Sequence, residues 1–452
     1  MLTSINPYNG EIIAEYKELS KSKINKKLKL ANKTFENWKL SSFERRKDLV
    51  LNLAEVLEKN KQKYAETITL EMGKPISQAI AEVEKCVWVC EYYAENAEEL
   101  LSKKIIQTNA YKSYVSFEPI GVVLAVMPWN YPFWQVFRFA APAMMAGNVG
   151  VLKHAHNVQG CANLIEEAFI EAGFPTGCFQ NLCVSSKKVE RIIKYKHVKA
   201  VTLTGSEKAG SAVAAIAGKE IKKSVLELGG SNALVVFEDA DIEKTIQTCV
   251  KARYQNTGQS CIAGKRLFIH EAIYNEFMEK FLMEVRELPV GNPMDENVFI
   301  GVMAREDLAE DLEKQLNKSV KKGAKVILGG NRDKAYFEPT ILIDVRKKMP
   351  AFSEETFGPL MAVSSFQTDL EVIDLVNNSD FGLGVSIFTE DFDRAEAMVP
   401  HFEDGAVFVN ELVKSDPRLP FGGTKKSGYG RELSEDGIKE FVNRKTVYFN
   451  KY

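Results

Sequence analysis

Four segments carry residue types that could do chemistry, and each is a short apolar run broken by glycine, proline or small polar residues. Cys261 closes Asn256-Thr257-Gly258-Gln259-Ser260-Cys261. Small neighbours leave its sulfur and the nearby backbone N–H groups accessible, the setting of a nucleophilic thiol. Its nearest histidine, His270, lies on an apparent strand with no Cys/His protease signature, so a hydrolase triad is not supported. Glu227 ends Val225-Leu226-Glu227 before Gly229-Gly230, at a sheet edge where a carboxylate suits a general base. Asn130, in Pro128-Trp129-Asn130-Tyr131-Pro132, projects an amide from a proline-stiffened turn and could donate to a developing oxyanion, a role whose loss costs roughly 10² to 10³ in rate. Thr204-Gly205-Ser206 opens a run to Gly210 whose helix N-terminus could hold a pyrophosphate, although it is not the G-x-G-x-x-G fingerprint.

Elements of two kinds must position these groups. From about residue 20 to 104 the spacing predicts helices, as over 45–60 and 77–101. Then strands and helices alternate: strands over 121–127, 149–153, 178–184, 198–203 and 224–228, and helices over 133–146, 159–172, 186–195 and 207–218. This rhythm implies βαβ units, a parallel sheet, and ligands held beyond the carboxyl ends of its strands. A second set runs through 233–237, a helix over 242–255, then 266–270, 325–328, 385–389 and 406–409, implying a second α/β domain with a cleft between the two. Two alternating stretches, 111–117 and 445–450, stand apart and suit a small arm added to a neighbouring subunit.

At 452 residues with 45% hydrophobic content, the chain suits two or three packed domains. Its 59 Lys plus Arg against 61 Asp plus Glu imply no electrostatic attraction to nucleic acid or an anionic membrane, leaving a small molecule as the expected partner. The start of the chain lacks the order of a signal peptide and no apolar run spans a membrane, so a cytoplasmic location is expected. Seven irregularly spaced cysteines and five scattered histidines fit neither a disulfide framework nor a metal site. Cysteines 86, 90, 161, 178, 183 and 249 are expected to fill core space.

Taken in order, Pro128 to Pro132, Thr204-Gly205-Ser206, Glu227-Leu228-Gly229-Gly230, Gly258-Gln259-Ser260-Cys261, Glu354-Glu355-Thr356-Phe357-Gly358-Pro359 and Pro420-Phe421-Gly422-Gly423 resemble the motifs of the NAD(P)-dependent aldehyde dehydrogenase superfamily. The resemblance covers nearly the whole chain, from Asn6-Pro7-Tyr8-Asn9-Gly10-Glu11 to the final strand. Trp134 to Arg138, Lys153-His154-Ala155 and Ser415 to Pro420 look most like the bacterial succinate-semialdehyde dehydrogenase branch. The resemblance implies an α/β fold with a Rossmann-like parallel-sheet NAD(P) domain over 1–104 and 120–230. A second α/β catalytic domain would span 231–430, with a β oligomerisation arm over 105–119 and 431–452.

It further implies that Cys261 attacks an aldehyde, that Asn130 and the Cys261 N–H hold the oxyanion, and that Glu227 activates the water that cleaves the thioester. NAD or NADP would contact Trp129, Lys153, Thr204, Gly205, Ser206, Gly210, Leu228, Glu355 and Phe357, with adjacent Glu354 a rival to Glu355. Substrate would meet Arg138 as a carboxylate anchor, with Gln255, Ser415 and Phe421 nearby; a dimer or tetramer is expected. Two departures stand out. His156 replaces the glutamate that many NAD-selective relatives carry three residues after the lysine, so repulsion of a 2′-phosphate is absent. Gln255 replaces a second arginine, and Ser415, Lys414 or Arg418 could supply the missing clamp. A CoA-acylating dehydrogenase is the alternative enzyme, and a catalytically silent binding protein with this fold is the alternative outside enzymes. Glu227 speaks against the first, since a thiol acceptor needs no such base.

Overall fold

A computed structural model describes residues 1–451. Tyr452, the last residue of the expected arm, lies outside them. The amino-terminal hairpin Leu2–Ile5 and Ile12–Tyr16 leads into the helices Lys21–Trp38, Phe43–Lys59, Lys61–Met72 and Ile76–Leu100. Serine caps start the first two: Ser20 accepts from the Lys23 N–H and Ser42 from that of Arg45. The long fourth helix buries Ala79, Val83, Cys86, Val89, Cys90, Tyr93 and Ala97 at helical spacing. These helices cover the first sheet and share its apolar core.

Among the described residues that sheet has six strands, in the order Gly428–Tyr429, Lys223–Glu227, Val198–Thr204, Val122–Val126, Val149–Lys153 and Phe179–Asn181. All pair in parallel except the Gly428–Tyr429 edge. The central runs are apolar on both faces because helices cover both sides, as expected of a parallel sheet. The strand expected over 178–184 shortens to Phe179–Asn181, and the helix expected over 186–195 becomes a 3₁₀ turn plus Val189–Ile193.

The second sheet holds seven described strands, in the order Lys325–Leu328, Thr340–Ile343, Leu360–Phe366, Gly264–His270, Asn232–Val236, Val385–Phe388 and Val407–Val409. The helices Tyr274–Arg286, Glu306–Lys321 and Asp369–Asn377, and the strands Thr340–Ile343 and Leu360–Phe366, were not anticipated. Lys112–Pro119 pairs antiparallel with Val442–Phe449 along eight residues each. The arm is shorter than 431–452, because Leu433, Ile438 and Phe441 are buried in the first domain's core. Gly428–Tyr429 likewise departs from the 231–430 assignment by joining the first sheet beside Glu227.

Candidate active site

Cys261 follows a backbone that ordinary residues resist. Asn256, Thr257 and Gly258 have φ of 57°, 53° and 71°, and all three are buried. A β-branched residue in this left-handed region is strained by about 1–3 kcal/mol, so tertiary contacts must hold it. The Asn256 side-chain amide donates to the Asn130 carbonyl at 2.9 Å and the Gln259 carbonyl at 3.1 Å. Gln259 Oε1 accepts from the Ala304 N–H at 2.9 Å. Gly258 is required by close approach, since a Cβ there would overlap the Gly358 carbonyl.

A cavity of about 250 Å³ opens at Cys261, walled also by Trp129, Asn130, Thr204, Gly205, Ser206, Leu228, Gly229, Glu355 and Phe357. Asn130 Nδ2 spends one donor on the Gln259 carbonyl at 3.0 Å, and Gln135 fixes its Oδ1 at 3.1 Å, which leaves a second N–H for a ligand. Burial pushes the Cys261 thiol up to about 11, while the charges of Arg138 and Lys265 oppose that rise. Cysteines 86, 90, 161, 178 and 249 are buried, their thiols also raised by burial, and Cys183 is half-buried.

Sequence reasoning missed Lys265, and the only available signal was a lysine four residues past the thiol. It is fully buried and donates to the Cys261 carbonyl at 2.9 Å and to Glu355 at 2.9 Å. Glu355 also accepts from the Gly230 N–H at 3.0 Å, and Gly229 must lack a side chain to leave that carboxylate room. Glu354 instead meets Gln315 at 2.9 Å, so of the adjacent pair only Glu355 faces the cavity.

Glu227 stands behind this wall, not in it. It is 2% exposed, neither carboxylate oxygen has a hydrogen-bond partner, and Gly422 packs against it. Burial first and then Glu432 raise it well above the usual carboxylate range, with Arg138 and Arg431 opposing. Arg138 is not a free anchor: its guanidinium is ion-paired with buried Glu432, lies 4.6 Å from the Phe421 ring centroid, and faces Thr204 Oγ1 at 3.4 Å. The expected substrate role thus meets a cation already matched to a carboxylate that sequence reasoning overlooked. Gln255, Ser415 and Phe421 also lie off the cavity wall. Ser415 Oγ instead accepts from Lys85 at 2.8 Å.

A groove of about 600 Å³ adjoins the cavity, sharing Pro128, Thr204 and Gly205 with it, and runs to Lys153, His156, Ser185 and Ser186. Here the helix Glu207–Lys219 begins; Ser206 Oγ takes the Ala209 N–H, while the first turn of a helix leaves four N–H groups without helical partners. Gly210 is explained by packing, because a Cβ there would meet Leu228 at 2.5 Å. Burial first, then Arg305 and Lys153, lower His156, with Asp307 opposing; Arg305 is itself paired with Asp307 at 2.8 Å, which leaves Lys153 as the cation beside His156 in the groove. The donors, the glycine-lined floor at Gly229 and the continuity with Cys261 fit a dinucleotide.

The model of the Aldehyde dehydrogenase family matches residues 1–447. The chain belongs to the aldehyde dehydrogenase family. It is 44% identical over 450 residues to "Probable succinate-semialdehyde dehydrogenase (NADP(+))" of Synechocystis sp., covering 99% of each chain. It is 43% identical over 453 residues to "Succinate-semialdehyde dehydrogenase (NADP(+)) 1" of Mycobacterium tuberculosis, again covering 99% of each. The crystal structure of succinic semialdehyde dehydrogenase from Streptococcus pyogenes, in complex with NADP+, superposes with a TM-score of 0.97 at 34% identity over 100% of both chains. This aldehyde dehydrogenase family member has no described helix long and apolar enough to cross a membrane.

Proposed function

We propose that this aldehyde dehydrogenase oxidises succinate semialdehyde to succinate, with NADP+ accepted at least as well as NAD+. The observation that carries the reaction is one cavity shared by the Cys261 thiol, the spare Asn130 N–H and Glu355, open to a groove with a helix N-terminus. Likeness over almost the full length to relatives bearing that substrate's name supports the substrate. His156 beside Lys153 in the groove, with no carboxylate of its own to repel a 2′-phosphate, supports the phosphorylated dinucleotide.

The cofactor, when bound, supplies the hydride acceptor. Cys261 sulfur, as thiolate, forms the bond to the carbonyl carbon, and the carbonyl oxygen gains the charge that Asn130 Nδ2 and the Cys261 N–H stabilise. Lys265 and the Gly230 N–H hold Glu355 on the cofactor side of the cavity. After the carbon has lost its hydride, the acyl group is a thioester on Cys261. Glu227 takes a proton from water, whose oxygen bonds to the acyl carbon as the carbon–sulfur bond breaks, releasing the carboxylate and restoring the cysteine. Lys153, Thr204, Gly205, Ser206 and the cavity-wall aromatics Trp129 and Phe357 complete the cofactor bed.

The arm supports assembly with a second copy in the cytoplasm: its outer strand Val442–Phe449 pairs on one side only and exposes Tyr448 and Phe449. Mixing purified protein with either nicotinamide cofactor and a panel of aldehydes tests the reading. Reduced cofactor and stoichiometric succinate from succinate semialdehyde are expected. No reduction with any aldehyde would sink it.

A further inference from the structure

The turn that carries Asn130 is held from two sides. Toward Cys261 it is bonded by Asn256 and Gln259. On its other side stands an ion pair between Lys74 and Glu82, both side chains sealed from solvent. Lys74 lies just before the Ile76–Leu100 helix and Glu82 within it. Glu82 Oε1 accepts from the Phe133 N–H at 2.9 Å and from the Trp134 N–H at 3.0 Å. These donors open the Trp134–Met145 helix, which has no side-chain cap of its own, and a carboxylate there also meets the positive end of the helix dipole. Lys74 Nζ lies 3.9 Å from the Tyr131 ring centroid, so the pair grips the chain on both flanks of Pro132. The first turn of the same helix carries Gln135, whose amide fixes Asn130 Oδ1 at 3.1 Å. A short polar residue at the helix start would cap it without any buried charge. Sealing an ion pair there costs desolvation, and what it gains is an acceptor whose own place is set by Lys74.

We propose that Glu82, fixed by Lys74, is a positioning residue for the oxyanion donor: it seats the start of the Trp134–Met145 helix so that Gln135 turns the free N–H of Asn130 toward the carbonyl oxygen at Cys261. This rests on the aldehyde-oxidising reading above and deepens it at the same site.

The test compares two double variants of the full-length enzyme, both without the buried charges. Lys74→Met/Glu82→Gln keeps an oxygen that can accept from both N–H groups, whereas Lys74→Met/Glu82→Leu removes it. The second should have a kcat for succinate semialdehyde about tenfold to a hundredfold below the first, with KM changed less than about threefold, as expected of a misplaced donor that acts in the transition state. In an Asn130→Ala background the two should agree within about twofold, because the group they act through is gone. Equal kcat values with Asn130 present, or the same loss with Asn130 removed, would overturn the positioning role. If the second variant does not fold, Glu82→Asp, which keeps the charge and shortens the reach by one methylene, is compared with the wild type in the same two backgrounds. Hydrogen exchange over residues 128–138 needs no turnover: it should quicken where the acceptor is removed or withdrawn and stay slow in Lys74→Met/Glu82→Gln. Unchanged exchange refutes the proposal even if no aldehyde is oxidised, whereas absence of wild-type turnover with every aldehyde refutes the reaction alone.

Discussion

The two sides of Cys261 are built on opposite principles. In front, every group that sets geometry is tied by hydrogen bonds to backbone: Asn130 to Gln259, Asn256 to Asn130, Lys265 to Cys261, and Glu355 to Gly230. Behind, the carboxylate of Glu227 has no partner and the Arg138–Glu432 pair is sealed from water. The front is a scaffold whose shape persists across pH. The back is a cluster whose state depends on where protons sit, because an unpartnered buried carboxyl is cheaper neutral than charged. On the proposed mechanism, one site would thereby hold its oxyanion donor Asn130 rigidly and leave its base Glu227 adjustable.

Breaking the front at its centre has the largest effect: Cys261→Ala should abolish turnover, read as absence of cofactor reduction with every aldehyde. At the back, Glu432→Gln strands the Arg138 charge and should cost about 3–5 kcal/mol of stability in denaturant titrations. It also removes the neighbour that raises Glu227, so the base should lose its proton at lower pH. Thioester hydrolysis, which rises with pH as Glu227 ionises, should therefore begin its rise earlier in the variant; an unmoved profile would detach Glu432 from the base.

Asn130→Ala should lower kcat by roughly 10² to 10³ with a smaller change in KM, because the amide acts on the developing oxyanion. A sharper test of the scaffold is the thiol itself. In cofactor-free protein the alkylation rate of Cys261 should climb about tenfold per pH unit toward about 11, since the thiolate fraction grows until that point. A plateau near neutrality would show that the charges of Arg138 and Lys265 outweigh burial. The smallest effect belongs to the groove: Ser206→Ala removes a helix cap and should cost about 1 kcal/mol of stability and raise the KM for the dinucleotide.

The alternation of strands and helices from 121 to 228 is readable because apolar runs of five to seven residues, several of them ended by glycine or proline, alternate with segments of helical spacing. Helices 274–286 and 306–321 carry an amphipathic pattern too, although the sequence reading places no element between Arg266–His270 and Lys325–Leu328. The short strands near 340 and 360 carry little periodic signal of their own and form by pairing with neighbours distant in sequence.

Residue types and order thus determined the family and the strand-end placement of Asn130 and Glu227, and they singled out the Cys261 segment, since those depend on local pattern. The third dimension decided partnership. Arg138 on a helix could face substrate, solvent or a carboxylate, and only folding brought Glu432 to it from 294 positions away. Likewise Lys265 meets Glu355, and Lys85 meets Ser415, across separations of 90 and 330 residues. Electrostatics act through space, and the distances that make a charge matched or unmatched exist only after the chain has closed on itself.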